Sequence, residues 1–154
     1  MSSSVRHSIC AQGGKVRKEK LAGEAGILPG HLLEFSSGEV VTHNVADGVA
    51  RPIRVAVESD TVNPSATAII DVPYADGDNV YYVVGQPGDV LYMLLADGQN
   101  AVEGVSVLVS NADGTLKIAA AVDATLIAGA QVGVPAESLN NSSGNPARLL
   151  VELV

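Results

Sequence analysis

The residue types that carry enzyme or metal chemistry are few in this chain and poorly spaced for it. Histidines stand at 7, 31 and 43. No two lie four residues apart, the spacing that sets two imidazoles on one helical face for zinc, and Cys10 has no second cysteine beside it. His7 and Cys10 have the residue types of a base and a nucleophile, but no third group is placed to orient them. A free thiol is the expected state of Cys10. Asp76-Gly77-Asp78-Asn79 clusters oxygen ligands, yet it lacks the spaced donors before its glycine and the glutamate after it that a calcium loop needs. A hairpin turn is expected there. Gln12-Gly13-Gly14-Lys15 has the wrong glycine spacing for a phosphate loop, and there is no Gly-x-Ser-x-Gly elbow. Lys117 sits three residues past the Asp113-Gly114 turn, a strand position facing solvent rather than the hairpin tip of a biotinyl or lipoyl carrier. The sequence therefore predicts no enzyme, no cofactor and no metal.

The elements that would have to position any site follow from composition. The chain has 154 residues, 47% hydrophobic and 17% charged, with one phenylalanine, four tyrosines, one cysteine and no tryptophan. That length suits one domain able to bury roughly 68–70% of its unfolded surface. The apolar fraction is too high for a disordered chain, and one cysteine excludes an internal disulfide framework. Gly, Pro, Asp or Asn interrupts every apolar run, so no membrane span is expected. The polar, basic start has no apolar stretch behind it, and no signal peptide is read there.

The net charge of −8 is uneven. Residues 1–20 hold five basic side chains against Glu19 alone, +4, whereas residues 21–154 hold four basic against sixteen acidic, −12. The first segment is also rich in Ser and Gly and its apolar residues follow no period. Residues 1–21 are therefore expected to be an extended basic arm rather than core, and residues 22–154 a single all-β domain. Twenty extended residues reach roughly 65 Å, far enough to cross a neighbouring subunit. The arm has no aromatic for base stacking and the body repels phosphate, so an acidic protein surface, not nucleic acid, is its expected partner.

Turn dipeptides recur through the body, among them Pro29-Gly30, Ser37-Gly38, Asp76-Gly77, Pro87-Gly88, Asp97-Gly98 and Asp113-Gly114. Between them lie runs that predict strands at 32–35, 39–43, 53–58, 79–84, 90–95, 105–110, 115–119, 131–135 and 148–153. Ile53, Val55 and Val57 share a face, as do Leu149, Val151 and Leu153, and Val105, Val107 and Val109 are assigned the same phase. Asn111-Ala112-Asp113-Gly114 is the best hairpin turn. Ala-Asp-Gly occurs four times, but without matching flanks it defines no repeat. Residues 119–130 fit either an alanine-rich helix or a strand and loop. Short strands bounded by turns predict a compact antiparallel β-barrel or sandwich.

The order of these pieces resembles a known family. Tyr74-Ala75-Asp76-Gly77-Asp78-Asn79-Val80, Gly88-Asp89-Val90-Leu91-Tyr92, Leu95-Ala96-Asp97-Gly98-Gln99-Asn100, Val102-Glu103-Gly104-Val105 and Ser110-Asn111-Ala112-Asp113-Gly114-Thr115-Leu116 are similar to the central part of tailed-phage capsid decoration, or cement, proteins. Val132-Gly133-Val134-Pro135-Ala136-Glu137 and Ala147-Arg148-Leu149-Leu150-Val151-Glu152-Leu153 resemble their closing strands. The resemblance spans about residues 22–154. It departs at Pro135, where an alanine-like residue is usual and an edge or bulge is expected, and at Val105, where an aspartate is usual and the local turn should change.

The resemblance implies a β-tulip-like domain that binds the outer surface of an icosahedral capsid. It further implies a homotrimer at three-fold and quasi-three-fold positions, bridging capsomers of the major capsid protein. Localisation would be the virion, after synthesis in the host cytoplasm. Arg6, Lys15, Arg17, Lys18 and Lys20 are the expected capsid-binding residues of the arm, and Tyr81, Tyr82 and Tyr92 the expected anchors of the oligomer interface. On this reading residues 1–20 can be deleted without unfolding the body. The alternative is a β-barrel module for host glycans or a cell surface, with Tyr74, Tyr81, Tyr82 and Tyr92 as stacking residues.

Overall fold

A computed structural model describes residues 8–12, 15–59, 68–120 and 129–154. Its strands, in chain order, are β1 (Cys10–Gln12), β2 (Lys18–Leu21), β3 (Leu32–Ser36), β4 (Glu39–Thr42), β5 (Arg54–Ala56), β6 (Asn79–Val84), β7 (Val90–Leu95), β8 (Asn100–Ala101), β9 (Leu108–Ser110), β10 (Leu116–Ile118), β11 (Gly133–Pro135), β12 (Leu139–Asn140) and β13 (Ala147–Leu153). Among the described residues a single 3-10 turn, Ile69–Asp71, interrupts them. The fold is all-β, and each of the nine expected strands is present in whole or in part. The helix-or-strand question at 119–130 falls mainly on residues 121–128, outside the described residues.

The larger sheet runs β1-β7-β10-β9-β11-β13, and β13 pairs back onto β7. The ring β7-β10-β9-β11-β13 is thus a closed five-stranded barrel, which leaves few free edges. Its longest seam is the antiparallel β7–β13 ladder, six residue pairs from Ala147↔Leu95 to Glu152↔Val90. The smaller sheet runs β2-β6-β5-β3-β4, and an Ala22↔Val40 bridge brings its two edges together.

Alternation divides the side chains between two cores. Leu91, Met93 and Leu95 of β7 meet Leu149, Val151 and Leu153 of β13 in the main core, with Ile53, Val55 and Val57 packed there as expected. The opposite face of the smaller sheet carries a second core, including Ala22, Ile27, Leu33, Val40, Val80 and Tyr82.

The Asn111–Gly114 hairpin joins β9 to β10. The Asp113 carboxylate accepts the Thr115 N–H at 2.9 Å. Gly114 has φ +81°, and a Cβ there would lie 2.9 Å from the Thr42 Cβ, so both conformation and space require glycine. At Asp76-Gly77-Asp78-Asn79 the chain turns into β6, with the Asp78 carboxylate accepting the Ala75 N–H. Pro135 is tolerated because β11 pairs with β13 along its length but with β9 only at Gly133, so no neighbour on that side asks for the missing N–H.

Two expectations fail. The 105–110 strand starts late, at Leu108, and Leu108 rather than Val109 joins the main core, although Val109 is also fully buried. Val105 is 72% exposed in a turn, whereas Leu108 lies in the main core and Ser106 and Ser110 are buried. The turn bonds explain this: Val105 and Ser106 N–H both donate to the Val102 carbonyl, and Ser106 Oγ accepts the Val102 N–H. The second failure is the arm. Of residues 1–21, those described are built into the body, not free of it. β1 pairs with β7 and β2 with β6 along its whole length, and Ile9 is fully buried in the main core.

Candidate interaction surface

The N-terminal segment is fastened by charges that the sequence assigned to a partner. Glu58 is buried and accepts from Ser8 Oγ at 3.0 Å, the Ile9 N–H at 3.1 Å and Arg17 Nη2 at 2.9 Å. Lys15 Nζ lies 2.7 Å from the Asp89 carboxylate, both side chains largely covered. These pairs hold Ser8, Cys10, Lys15, Arg17 and Glu58 around a cavity of about 320 Å³. Burial, then the Glu58 charge, pushes the Cys10 thiol up, so it is a poor nucleophile.

The expected capsid-binding residues therefore separate. Lys15 and Arg17 are committed to carboxylates of this chain. Lys18 and Lys20 lie on the face of β2 that meets Tyr82 and Val80, Lys18 exposed and Lys20 half-buried. Arg6 lies outside the described residues.

Lys20 approaches Phe35 on β3, its Nζ 4.6 Å from the ring centroid, and Arg54 on β5 stacks on the same ring with Cζ at 4.0 Å. Tyr82 meets Phe35 edge-on at 5.8 Å. The curl of the smaller sheet makes this possible, since β2 and β3 are not neighbours in it.

The tyrosines do not form a surface platform. Tyr82 and Tyr74 are buried, while Tyr81 and Tyr92 are half-buried against the main core. Tyr74 O–H donates to the Val57 carbonyl at 2.6 Å, and burial raises its pKa to about 12. The glycan reading thereby loses Tyr74 and Tyr82 as stacking residues. Tyr82 is too covered to anchor an oligomer from the surface. Apart from Phe35, the large exposed apolar side chains among the described residues are aliphatic, notably Val16, Val45, Val49 and Val105.

Two of the histidines, His31 and His43, are buried, which their sequence setting does not show. His43 Nε2 donates to the Val49 carbonyl at 3.0 Å, so Nδ1 is the acceptor for the Ser110 hydroxyl at 2.7 Å. Glu34 lies 3.9 Å from Nε2. Serine, histidine and carboxylate thus meet, but Ser110 is fully buried and also accepts the Ala112 N–H. The trio is a structural lock between the β4 end and the β9–β10 hairpin, with no room for a substrate carbonyl.

His31 Nδ1 accepts the Leu28 N–H at 3.0 Å, and burial lowers its pKa from 6.5 to about 4. Its neutral form is the one the fold binds. The stability this provides is complete above pH 6.5 and is lost as pH falls towards 4, roughly 3 kcal/mol from this group. Denaturant unfolding at pH 7 and near pH 4 is expected to show that loss, and His31→Gln to shrink the difference. An unchanged difference in the variant would show that His31 does not sense the acid.

Among the described residues no group of three His, Cys, Asp or Glu side chains could hold a metal ion, and no helix is long and apolar enough to cross a membrane. No protein-family model matches the chain, and no curated protein matches it.

Proposed function

We propose that this chain is a structural virion protein that binds the outer surface of an icosahedral phage capsid as a homotrimer and stabilises the shell by bridging capsomers. The observation that carries the reading is the ordered series of turn-and-strand motifs from Tyr74 to Leu116 and from Val132 to Leu153. The turns occur at Asp76-Gly77, Pro87-Gly88, Asp97-Gly98 and Asp113-Gly114, with strands β6, β7, β8 and β10 after them. A closed barrel locked by β7–β13 suits a clamp, which must transmit load rather than move. Three modest contacts per trimer become one firm attachment when the geometry lets all three engage. The exposed valines supply aliphatic surface for contacts between copies.

The test is the mass of the purified protein in solution, followed by co-sedimentation with expanded shells. Three times the mass of one chain and saturable sedimentation with shells are the expected results. A monomer that stays in the supernatant at every shell concentration overturns the reading.

A further inference from the structure

Eight cations lie among the described residues, and five have an acceptor within the fold. Lys15, Arg17, Lys117 and Arg148 pair with Asp89, Glu58, Asp47 and Asp71, and Arg51 donates to the Val154 carbonyl oxygen. The other three, Lys18, Lys20 and Arg54, gather on one face of the smaller sheet. Lys18 and Lys20 share a face of β2 with Tyr82 and Val80 opposite them, and Lys20 and Arg54 converge on the Phe35 ring. Among the described residues no carboxylate forms an ion pair with any of them. Phe35, the one phenylalanine of the chain, is 41% exposed at their centre.

This arrangement runs against the rest of the molecule. The chain has 17 acidic against 9 basic side chains, yet three cations sit together with no ion-pair partner among the described residues. Holding like charges on one patch costs stability unless an anion joins them. The aromatic fixes the chemistry further. A guanidinium stacked on a ring keeps its in-plane N–H donors free, and that fork matches a carboxylate in bidentate geometry. The ring holds Arg54 in place before the anion arrives, and Lys20 adds a second, more mobile donor.

We infer that Arg54, Lys20, Lys18 and Phe35 form a docking site for an acidic segment of a partner polypeptide, its carboxylates taken by Arg54 and Lys20 beside the Phe35 ring. An acidic peptide is favoured over nucleic acid by the field of the whole chain. At a net −8, a long polyanion that overruns the patch meets repulsion, whereas a short run of carboxylates touches only the cations. The site is independent of whether the partner belongs to a capsid.

The test uses the full chain with a short poly-L-glutamate of about six residues as probe, short enough to stay on the patch, and oligo-deoxythymidine and phosphatidylserine vesicles as comparison arms. Saturable binding of poly-L-glutamate that weakens with salt is expected. Arg54→Gln and Lys20→Gln should each weaken it by about tenfold, and Arg54→Lys should lose most of the binding because it keeps the charge but not the fork. Lys117→Gln makes the same charge change away from the patch and should leave binding within about twofold. A melting curve for each variant separates lost binding from lost fold. Equal losses in Lys117→Gln would mean bulk charge attraction and overturn the site. Tighter binding of the oligonucleotide or vesicles would overturn the choice of partner, and self-association abolished by Arg54→Gln would assign the patch to a second copy instead. Absence of poly-L-glutamate binding at low salt would refute it outright.

Discussion

A chain lacking residues 1–21 is expected to show no cooperative thermal transition, although those residues read as a tail. Three losses act together. Ile9 leaves the main core, and emptying a site of that size costs about 2–5 kcal/mol. Glu58 loses its bonds from Ser8, Ile9 and Arg17, each worth about 0.5–3 kcal/mol. β6 loses its β2 neighbour, and the start of β7 loses β1. Each of the first two is a large share of the roughly 5–15 kcal/mol that holds a domain of this kind together. Circular dichroism melts of the truncated and full chains decide it, with Ile9→Ala and Glu58→Ala as single changes that should each lower the midpoint. A truncated chain melting cooperatively within a few degrees of the full one would return these residues to the status of an arm. The consequence for function is practical. Truncation cannot separate binding from folding here, so shell binding is better probed by reversing Lys18 and Lys20, which close no ion pair within the described fold.

Why these strands escaped the sequence reading is itself physical. β2 is Lys18-Glu19-Lys20-Leu21, and charged residues on an edge strand are how proteins guard unpaired backbone from aggregation. The same residues, read without a partner strand, look like a solvated tail. β1 is Cys10-Ala11-Gln12 with Ile9 just before it as the buried anchor, too short a run for a period. Strands in the middle of the sheets were legible because burial on one face enforces alternation, as at Ile53-Val55-Val57 and along β13. The phase at Val105–Val109 misled because Ser106 and Ser110 are buried but satisfied, and composition does not distinguish a satisfied buried serine from an exposed one. The cation–aromatic cluster was out of reach for another reason. Phe35 lies 15 residues after Lys20 and 19 before Arg54; β3–β5 pairing brings Arg54 to the ring, and only the curl of the smaller sheet brings Lys20.

Gly133→Ala is expected to be among the most damaging single substitutions in the body, and the reason lies in how the barrel closes. Gly133 is the residue at which β11 faces β9 and β13 at once, opposite Leu108 on one side and Leu153 on the other. A Cβ there would lie 2.5 Å from the Glu152 carbonyl oxygen and 2.7 Å from Val151 Cγ1. The first is a backbone atom inside the β11–β13 ladder, so relief requires the ladder to open rather than a side chain to turn. Overpacking of a closed core costs about 1–3 kcal/mol, and broken ladder bonds add to it. At roughly 2–4 °C per kcal/mol for a chain of this size, the midpoint should fall by about 10 °C. Gly85→Ala supplies the contrast. Its Cβ would come closer still, but to Leu153 Cδ1, the far end of a side chain that can change rotamer. The smaller loss is therefore expected at Gly85 despite the shorter approach. Thermal melts of the two variants side by side decide the point. A larger drop for Gly85→Ala would mean that crowding of the core, not closure of the ladder at Gly133, limits the stability of the barrel.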